Sequence, residues 1–209
     1  MQTKIKKVEL PKLAFEDYKQ LKNSMVESYP EMADSYWRSE DIERLLAIFP
    51  VGQLVILADG KVVGSALSLI VDEKLVDKRH NYLEVVGNYS FSTHNPFGEI
   101  LYGIDVFIHP NYRGLRLGRR LYDARKELCE QLNLKSIVFA GRIPNYGQFA
   151  DKMSPKKYID KIKSKQLHDP VLSFQLSNDF HVLRVIKNYL VGDEDSKEFA
   201  VLLEWNNIY

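Results

Sequence analysis

Residues 104–132, IDVFIHPNYRGLRLGRRLYDARKELCEQL, form the most informative stretch of this sequence. It starts inside an apolar run that Pro110 closes, as expected of a buried strand. A turn containing Gly114 follows, and apolar residues then recur on one face of a predicted helix over 117–132. The order strand, turn, helix presents backbone N–H groups at a helix start. Unpaired N–H groups and the helix dipole favour an anion such as phosphate there.

Arginines crowd this turn and the first turn of the predicted helix. They are Arg113, Arg116, Arg119 and Arg120. Cationic side chains at this end of a helix oppose its dipole, so a bound polyanion would make the arrangement favourable. Gly114 and Gly118 leave room for a ligand to approach the backbone. The residues alone do not choose between such a site and a solvated basic surface.

Composition argues against several classes of protein. The 209 residues carry 29 Lys plus Arg and 28 Asp plus Glu, and a net charge of +1 disfavours a nucleic-acid partner held by bulk electrostatics. The single cysteine, Cys129, lies beside an apolar stripe and predicts a buried core thiol. The five histidines lack metal-ligand spacing, so no metal is expected. With no apolar run of membrane-spanning length, we expect a cytoplasmic protein without a membrane partner.

The remaining pattern predicts one α/β domain over residues 1–209. Predicted strands cover 5–10, 53–58, 61–71, 101–109, 136–140, 182–185 and 200–204. Predicted helices cover 14–28, 40–48, 117–132, 155–165 and 169–176, and residues 141–153 predict a loop. Residues 72–98 form a long excursion, and such excursions are often functional. Its aromatic residues either line an acceptor pocket or simply pack.

The run Arg113-Gly114-Leu115-Arg116-Leu117-Gly118 resembles the acetyl-CoA loop of the GCN5-related N-acetyltransferase (GNAT) superfamily. That loop is usually written Q/R-x-x-G-x-G/A after a strand ending in V-x-P, and Ile108-His109-Pro110 fits the strand end. Arg116 replaces the central glycine. Either the grip on the pyrophosphate is weaker, or Arg116 keeps an allowed φ and points its guanidinium at a phosphate. Asp179 similarly stands where the family's closing G-F segment commonly has glycine.

The predicted order of elements also matches this superfamily over essentially the whole chain. The resemblance therefore implies an α/β (α+β) GNAT fold, a mixed and mostly antiparallel sheet of about seven strands flanked by helices. It also implies that the fourth and fifth strands splay apart. More narrowly, RGLRLGRRLYDARKELCEQLNL, GRIPNY, DPVLSFQLSNDF and LLEWNN resemble an acetyltransferase domain fused ahead of a carbon–nitrogen hydrolase (nitrilase-like) domain. We expect either an excised part of such a protein or a stand-alone version of the domain.

The resemblance implies direct transfer of acetyl from acetyl-CoA to the primary amine of a small molecule or peptide. A fused or associated nitrilase-like domain is the implied partner. A backbone N–H of the fourth strand would stabilise the thioester carbonyl. The implied CoA-binding residues are Phe107, Ile108, Arg113, Gly114, Leu115, Arg116, Leu117, Gly118 and Arg119.

Candidates for the general base are Asp105, Glu99 and, through water, Tyr102. The family's base position falls nearest Tyr102, where this chain has no carboxylate. The family's acid is a Tyr on the fourth helix, but Phe174 and Gln175 align there. Tyr146 and Tyr158 are possible substitutes, or they are packed tyrosines.

Two further alternatives stay open. The acids Glu27, Glu31 and Asp34 either attract a cationic amine or belong to a solvated loop. Because the central glycine and the helical Tyr are missing, a non-catalytic acyl-CoA-binding module that regulates a hydrolase is the alternative to an enzyme.

Overall fold

A computed structural model describes residues 5–30 and 36–209 and shows a seven-stranded sheet. Its strands are β1 (Val8–Glu9), β2 (Leu54–Ala58), β3 (Lys61–Val71), β4 (Ile100–Ile108), β5 (Ser136–Arg142), β6 (His181–Ile186) and β7 (Ala200–Asn206). The spatial order is β1-β2-β3-β4-β5-β7-β6. Neighbouring strands are antiparallel except for the parallel pair β4 and β5. The expected mixed, mostly antiparallel sheet is confirmed.

Helices cover both faces of this sheet, as expected. They are α1 (Tyr18–Ser28), α2 (Ser39–Ile48), α3 (Glu73–Asp77), α4 (Tyr82–Val85), α5 (Leu117–Gln131), α6 (Pro155–Lys163) and α7 (Leu172–Leu176). One core cluster joins Leu21 of α1 and Ile42 of α2 to the sheet. A second joins Tyr122 of α5, Ile159 of α6 and Leu172 of α7 to the other face. The fold therefore has three layers.

The structure differs from the sequence-based prediction at three places. The opening strand shrinks to Val8–Glu9, since only these two residues of its predicted span pair with β2. The excursion over 72–98 contains α3 and α4, and Asn81 caps α4 by accepting a hydrogen bond from Glu84 N at 2.9 Å. Strand β5 continues to Arg142, where a loop is predicted, because β7 pairs with it along its whole length.

Strands β4 and β5 separate soon after they meet. Their pairing covers only Ile100–Tyr102 against Ser136–Val138, although both strands continue beyond it. Strand β4 also has a bulge at Ile104, because Leu67 of β3 lies opposite Asp105 while Ser68 lies opposite Gly103. A bulge bends its strand and redirects the side chains that follow it. The predicted splay is confirmed, and it leaves a gap in the sheet.

Two positions where the superfamily commonly has glycine keep a glycine-like backbone here. Arg116, just before α5, has a φ of 59°, and Asp179, just before β6, has a φ of 67°. For a residue with a side chain this left-handed conformation costs about 1 kcal/mol. The loop thus keeps the shape that glycine would give it, and Arg116 carries the strain.

Replacing Arg116 with glycine should stabilise the protein by about 0.5–1 kcal/mol, because glycine adopts positive φ without a steric penalty. The measurement is the free energy of unfolding in urea. Arg119→Gly is the matched control, since Arg119 is an exposed arginine inside the same helix. That variant should lose up to about 1 kcal/mol. Equal losses in both variants would show that Arg116 is not strained.

Candidate functional site

The turn between β4 and α5 presents a run of unpaired backbone N–H groups. Arg113 N donates to Pro110 O at 3.2 Å, and the next N–H group with an acceptor is that of Arg120, which donates to Arg116 O at 3.3 Å. Within the described part of the chain, the N–H groups of residues 114–119 have no acceptor. Three of them belong to the first turn of α5, where the helix dipole is positive. This geometry suits a pyrophosphate.

The four arginines of this turn have different roles. Arg113 braces the turn, since its Nε donates to Ile108 O at 3.1 Å and its Nη2 donates to Ser28 O at 3.3 Å. The side chains of Arg116, Arg119 and Arg120 are exposed. Arg119 forms a long ion pair of 4.0 Å with Asp123 on the same helix. Three exposed guanidinium groups therefore surround the N–H groups.

The apolar residues of the turn hold it against the sheet. Leu117 is buried with β2 and β3, and Leu115 packs against the same cluster. Gly118 faces α7, because a Cβ atom there would lie 2.9 Å from the Phe174 ring. Gly118 therefore allows α5 and α7 to pack closely, and the side chains of the turn leave its N–H groups accessible.

The backbone N–H and C=O groups of successive β4 residues point alternately toward β3 and toward the gap between β4 and β5. His109 N donates to Val63 O of β3 at 2.8 Å, so the peptide groups of Phe107 also face β3 and those of Val106 and Ile108 face the gap. The carbonyl of Val106 accepts a hydrogen bond from Tyr29 Oη at 3.3 Å. A ligand in the gap would therefore meet the backbone of Val106 and Ile108, whereas the sequence prediction pairs Ile108 with Phe107.

A cavity of about 610 Å³ passes through the gap. Residues 103–106 of β4 and 139–142 of β5 form its walls. On the side of α5 and α7 it is lined by Arg125, Val171 and Gln175. On the other side it is lined by Met25, Tyr29, Tyr36, Trp37, Arg38, Asp41, Arg44, Tyr82, Asn88, Tyr89, Tyr189 and Leu190. The cavity therefore connects the two faces of the sheet.

Asp105 is the carboxylate inside the gap. The bulge turns its side chain toward α2, where its Oδ2 accepts a hydrogen bond from Trp37 Nε1 at 3.1 Å. Burial raises the pKa of Asp105 from 3.8 to about 6, although the Trp37 hydrogen bond and the charge of Arg125 oppose this shift. A carboxyl group that titrates near neutrality inside a cavity is suited to general-base catalysis.

Arg125 and Gln175 occupy the space left by two glycines. A Cβ atom on Gly103 would lie 2.7 Å from Arg125 Nη1, and one on Gly141 would lie 2.2 Å from Gln175 Oε1. Arg125 Nη2 donates to Leu67 O at 3.0 Å and to Asp105 O at 2.8 Å. Arg125 Nε and Gln175 Oε1 are buried without a hydrogen-bond partner in the described residues. Burial lowers the pKa of Arg125, and the neighbouring Tyr122 and Asp105 raise it.

Sequence reasoning did not identify Arg125, Trp37 or Gln175 as lining the gap. One signal was available, because Arg125 continues the spacing of Leu117 and Leu121 along the apolar stripe of α5. A charged residue at such a position faces the core and needs a polar environment there. Trp37 gives no comparable signal, since its contact with Asp105 depends on the packing of α2.

Tyr102 and Tyr146 lie outside the lining of the cavity. Tyr102 is fully buried, and its hydroxyl group contacts His80 Nε2 at 2.9 Å and Tyr189 Oη at 3.3 Å. Burial raises its pKa far above 10. Tyr146 is buried as well and donates to Met153 O at 3.1 Å. Both hydroxyl groups are therefore engaged in the protein interior.

Other candidates also lie away from the gap. Tyr158 donates to Asp169 Oδ2 at 2.9 Å, and Glu99 lies 3.9 Å from Lys135. Glu27 contacts His109 Nε2 at 2.7 Å. The acids Glu31 and Asp34 lie outside the described residues.

The lone thiol and the membrane prediction can be compared with the structure directly. Cys129 is fully buried, and burial raises its pKa to about 12, which confirms the predicted core thiol. Within residues 5–30 and 36–209, each helix is too short or too polar to cross a bilayer.

Comparison with known proteins places this geometry among acetyltransferases. The family model of the acetyltransferase (GNAT) family matches residues 18–150. A probable hydrolase of Bacillus subtilis (strain 168), YhcX, is 42% identical over 172 residues, which are 82% of this chain and 34% of the relative. The chain thus spans about a third of that protein's length. The uncharacterized N-acetyltransferase YkwB of the same organism is 33% identical over 83% of this chain and 76% of its own length.

Solved structures share the fold at lower identity. The loading GNATL domain of CurA from Lyngbya majuscula superposes with a TM-score of 0.83 at 22% identity, covering 96% of this chain and 98% of that domain. The GNAT-like decarboxylase GphF, in complex with isobutyryl-CoA, gives a TM-score of 0.80 at 20% identity and covers 95% and 98% of the two chains. These likenesses concern the fold. The family model and the 33% identity with YkwB show that this chain belongs to the acetyltransferase (GNAT) family.

Proposed function

We propose that this chain is an N-acetyltransferase that moves the acetyl group of acetyl-CoA to a primary amine of a small molecule or peptide. One observation carries the proposal: the carboxylate of Asp105 lies in the gap between β4 and β5, with its pKa raised to about 6. A base with this pKa is ionised at neutral pH and still accepts a proton readily. The family match supports acyl transfer as the reaction class.

The proposed donor would use both parts of the site. The N–H groups of residues 114–119 and the exposed guanidinium groups of Arg116, Arg119 and Arg120 would hold the pyrophosphate. The backbone of Val106 and Ile108 would hold the pantetheine arm in the gap. The unpaired N–H groups support such a ligand, because no described residue of the chain supplies them with an acceptor.

The proposed acceptor would enter from the side of α2. The cavity there has aromatic walls that include Tyr29, Trp37, Tyr82 and Tyr89. In the proposed reaction, Asp105 takes a proton from the ammonium group of the acceptor, and the free amine attacks the thioester carbonyl carbon. Trp37 keeps the carboxylate oriented through its 3.1 Å hydrogen bond. A primary amine on an apolar body fits these surroundings.

A fused or associated nitrilase-like domain is the proposed protein partner. The relative named a probable hydrolase supports it, since the matched region covers 34% of that protein and leaves room for a further domain. We place the reaction in the cytoplasm, in line with a lone cysteine that is buried as a free thiol.

The enzyme hypothesis predicts release of CoA thiol from acetyl-CoA with at least one member of a panel of primary amines. Asp105→Asn should lower kcat by 100-fold or more, roughly the contribution of a general base. Asp160→Asn, an exposed carboxylate on α6, should leave kcat unchanged. Binding of acetyl-CoA without turnover of any amine would favour the non-catalytic regulatory module instead.

The pH dependence of kcat should show the ionisation of Asp105. Because the carboxylate form of Asp105 is required, kcat should rise between pH 5 and 7 with a midpoint near its pKa of about 6. A profile that is flat over this range, in an enzyme shown to be active, would contradict the assignment of Asp105.

The free energy of unfolding should fall as pH rises, whereas kcat should increase. The folded-state pKa of Asp105, about 6, lies above its ordinary value of 3.8, so the native protein loses stability as pH rises through this window and the buried charge forms. Asp105→Asn should therefore raise the free energy of unfolding at pH 8 by roughly 1–3 kcal/mol, and the gain should fade toward pH 4. Urea titrations at the two pH values measure this, with Asp160→Asn as the control that shows no gain.

The double variant Arg119→Glu with Arg120→Glu should weaken acetyl-CoA binding at least tenfold, about 1.4 kcal/mol, in calorimetric titrations at constant ionic strength. Charge reversal is preferable to a bulky residue at Gly118, which would collide with Phe174. The matched control is Lys78→Glu with Arg79→Glu, an equal charge change in the exposed segment after α3. Equal weakening in both double variants would mean that only net charge matters.

A further inference from the structure

The gap contains a buried cation without an anionic partner. Arg125 is 1% exposed, and it has no ion pair among residues 5–30 and 36–209. Its Nη2 atom serves two backbone carbonyls, while Nε is buried without a partner and Nη1 makes no hydrogen bond to a described residue. Buried charges are normally paired. Since no carboxylate of residues 5–30 or 36–209 forms an ion pair with it, the guanidinium group is positioned for the anion of a ligand.

The position of Arg125 relates it to the reacting end of the proposed donor. It lies eight residues after Leu117, about 12 Å along α5 from the N–H groups at the helix start. Its Nη1 atom occupies the space above Gly103, and its Nη2 atom holds the carbonyl of Asp105. A thioester whose pyrophosphate is held at residues 114–119 would reach this part of the cavity with its sulfur.

We propose that Arg125 binds the sulfur of coenzyme A as a thiolate and so stabilises the leaving group. The inference rests on the proposed function and extends it to a residue with no assigned role. The superfamily position for a proton-donating Tyr holds Phe174 and Gln175 in this chain, and neither side chain releases a proton at neutral pH. A fixed cation offers a different way to stabilise the departing sulfur.

The step balances without a protein acid. The amine nitrogen forms a bond to the carbonyl carbon, the carbon–sulfur bond breaks, and its electron pair stays on sulfur. The acceptor nitrogen loses two protons. The first goes to Asp105 and then to solvent before the attack, and the second leaves the nitrogen by the same path as the amide forms. The thiolate remains paired with the guanidinium of Arg125 until coenzyme A dissociates, because an anion next to a buried cation is favoured.

The ionisable groups near Arg125 titrate outside the range in which the coenzyme A thiol ionises, so thiolate formation can be followed by changing the pH. They are Asp105 on β4, Tyr122 on α5, Tyr29 just after α1, Arg142 on β5, and farther into the cavity Arg38, Asp41, Arg44, Tyr82, Tyr89 and Tyr189. Asp105 has a pKa of about 6 and is ionised above pH 7. Burial raises the pKa of Tyr122 to about 12, and it also raises those of Tyr29, Tyr82, Tyr89 and Tyr189. Between pH 7 and 9 the thiol is therefore the group whose ionisation should dominate the change.

The experiment compares coenzyme A with desulfo-CoA, which lacks the sulfur, in titrations of the full chain at pH 7 and pH 9. The ratio of their affinities should shift about sixfold in favour of coenzyme A between pH 7 and pH 9, as expected if binding lowers the thiol pKa by about one unit from roughly 8.5. Thiolate absorbance in the ultraviolet should appear when coenzyme A binds at pH 8. An unchanged affinity ratio would overturn the inference.

Variants assign the effect to Arg125. Arg125→Gln should abolish the pH shift of the affinity ratio, and Arg125→Lys should keep part of it. Arg79→Gln removes an exposed cation after α3 and should keep all of it. A full shift in Arg125→Gln would overturn the inference, and loss of desulfo-CoA binding would reveal misfolding, in which case the native chain and Arg125→Lys decide. If neither ligand binds the native chain, the proposed function fails; if both bind with the same pH dependence, only this inference fails.

Discussion

Strands β4 and β5 are hydrogen-bonded over only three residue pairs, and the rest of the site depends on their divergence. The bulge at Ile104 begins it, and Arg125 fixes it, because Nη2 of Arg125 joins the carbonyl of Leu67 on β3 to that of Asp105 on β4. If β4 and β5 stayed paired, the backbone N–H and C=O groups of Val106 and Ile108 would be hydrogen-bonded within the sheet. The divergence instead leaves the backbone of Val106 facing a cavity that links both faces of the sheet.

Two opposite charges at the gap, those of Asp105 and Arg125, do not form a direct ion pair. The carboxylate of Asp105 accepts a hydrogen bond from Trp37, whereas Arg125 donates its hydrogen bonds to backbone carbonyls. A direct ion pair would lower the pKa of the carboxyl group by one or more units. Separation keeps the pKa of Asp105 near 6, and it leaves Nε of the guanidinium group without a partner among the described residues. The buried carboxyl group and the partly unpaired guanidinium group both lower the stability of the fold. Both also give the cavity a group that can bind or react with a ligand.

Recognition of the donor in this interpretation depends on backbone conformation more than on side-chain identity. Arg116 and Asp179 stand where the superfamily commonly has glycine, yet both keep a positive φ. The turn therefore retains its unpaired N–H groups although a glycine of its motif is missing. A sequence motif does not capture this, because it records residue types, whereas anion binding requires each N–H group to point toward the ligand.

The resemblance to the superfamily implies the mostly antiparallel sheet. The amino-acid pattern alone predicts the strand–turn–helix unit, the order of elements and the buried thiol of Cys129. Hydrophobic periodicity and turn residues encode these features locally. Only the tertiary structure decided that Trp37, Arg125 and Gln175 line the gap and that Tyr102 and Tyr146 are bonded elsewhere. It also decided that Val106 faces the gap. The reason is register, because the single extra residue at Ile104 reverses the direction of every group that follows, and local periodicity does not reveal such a shift.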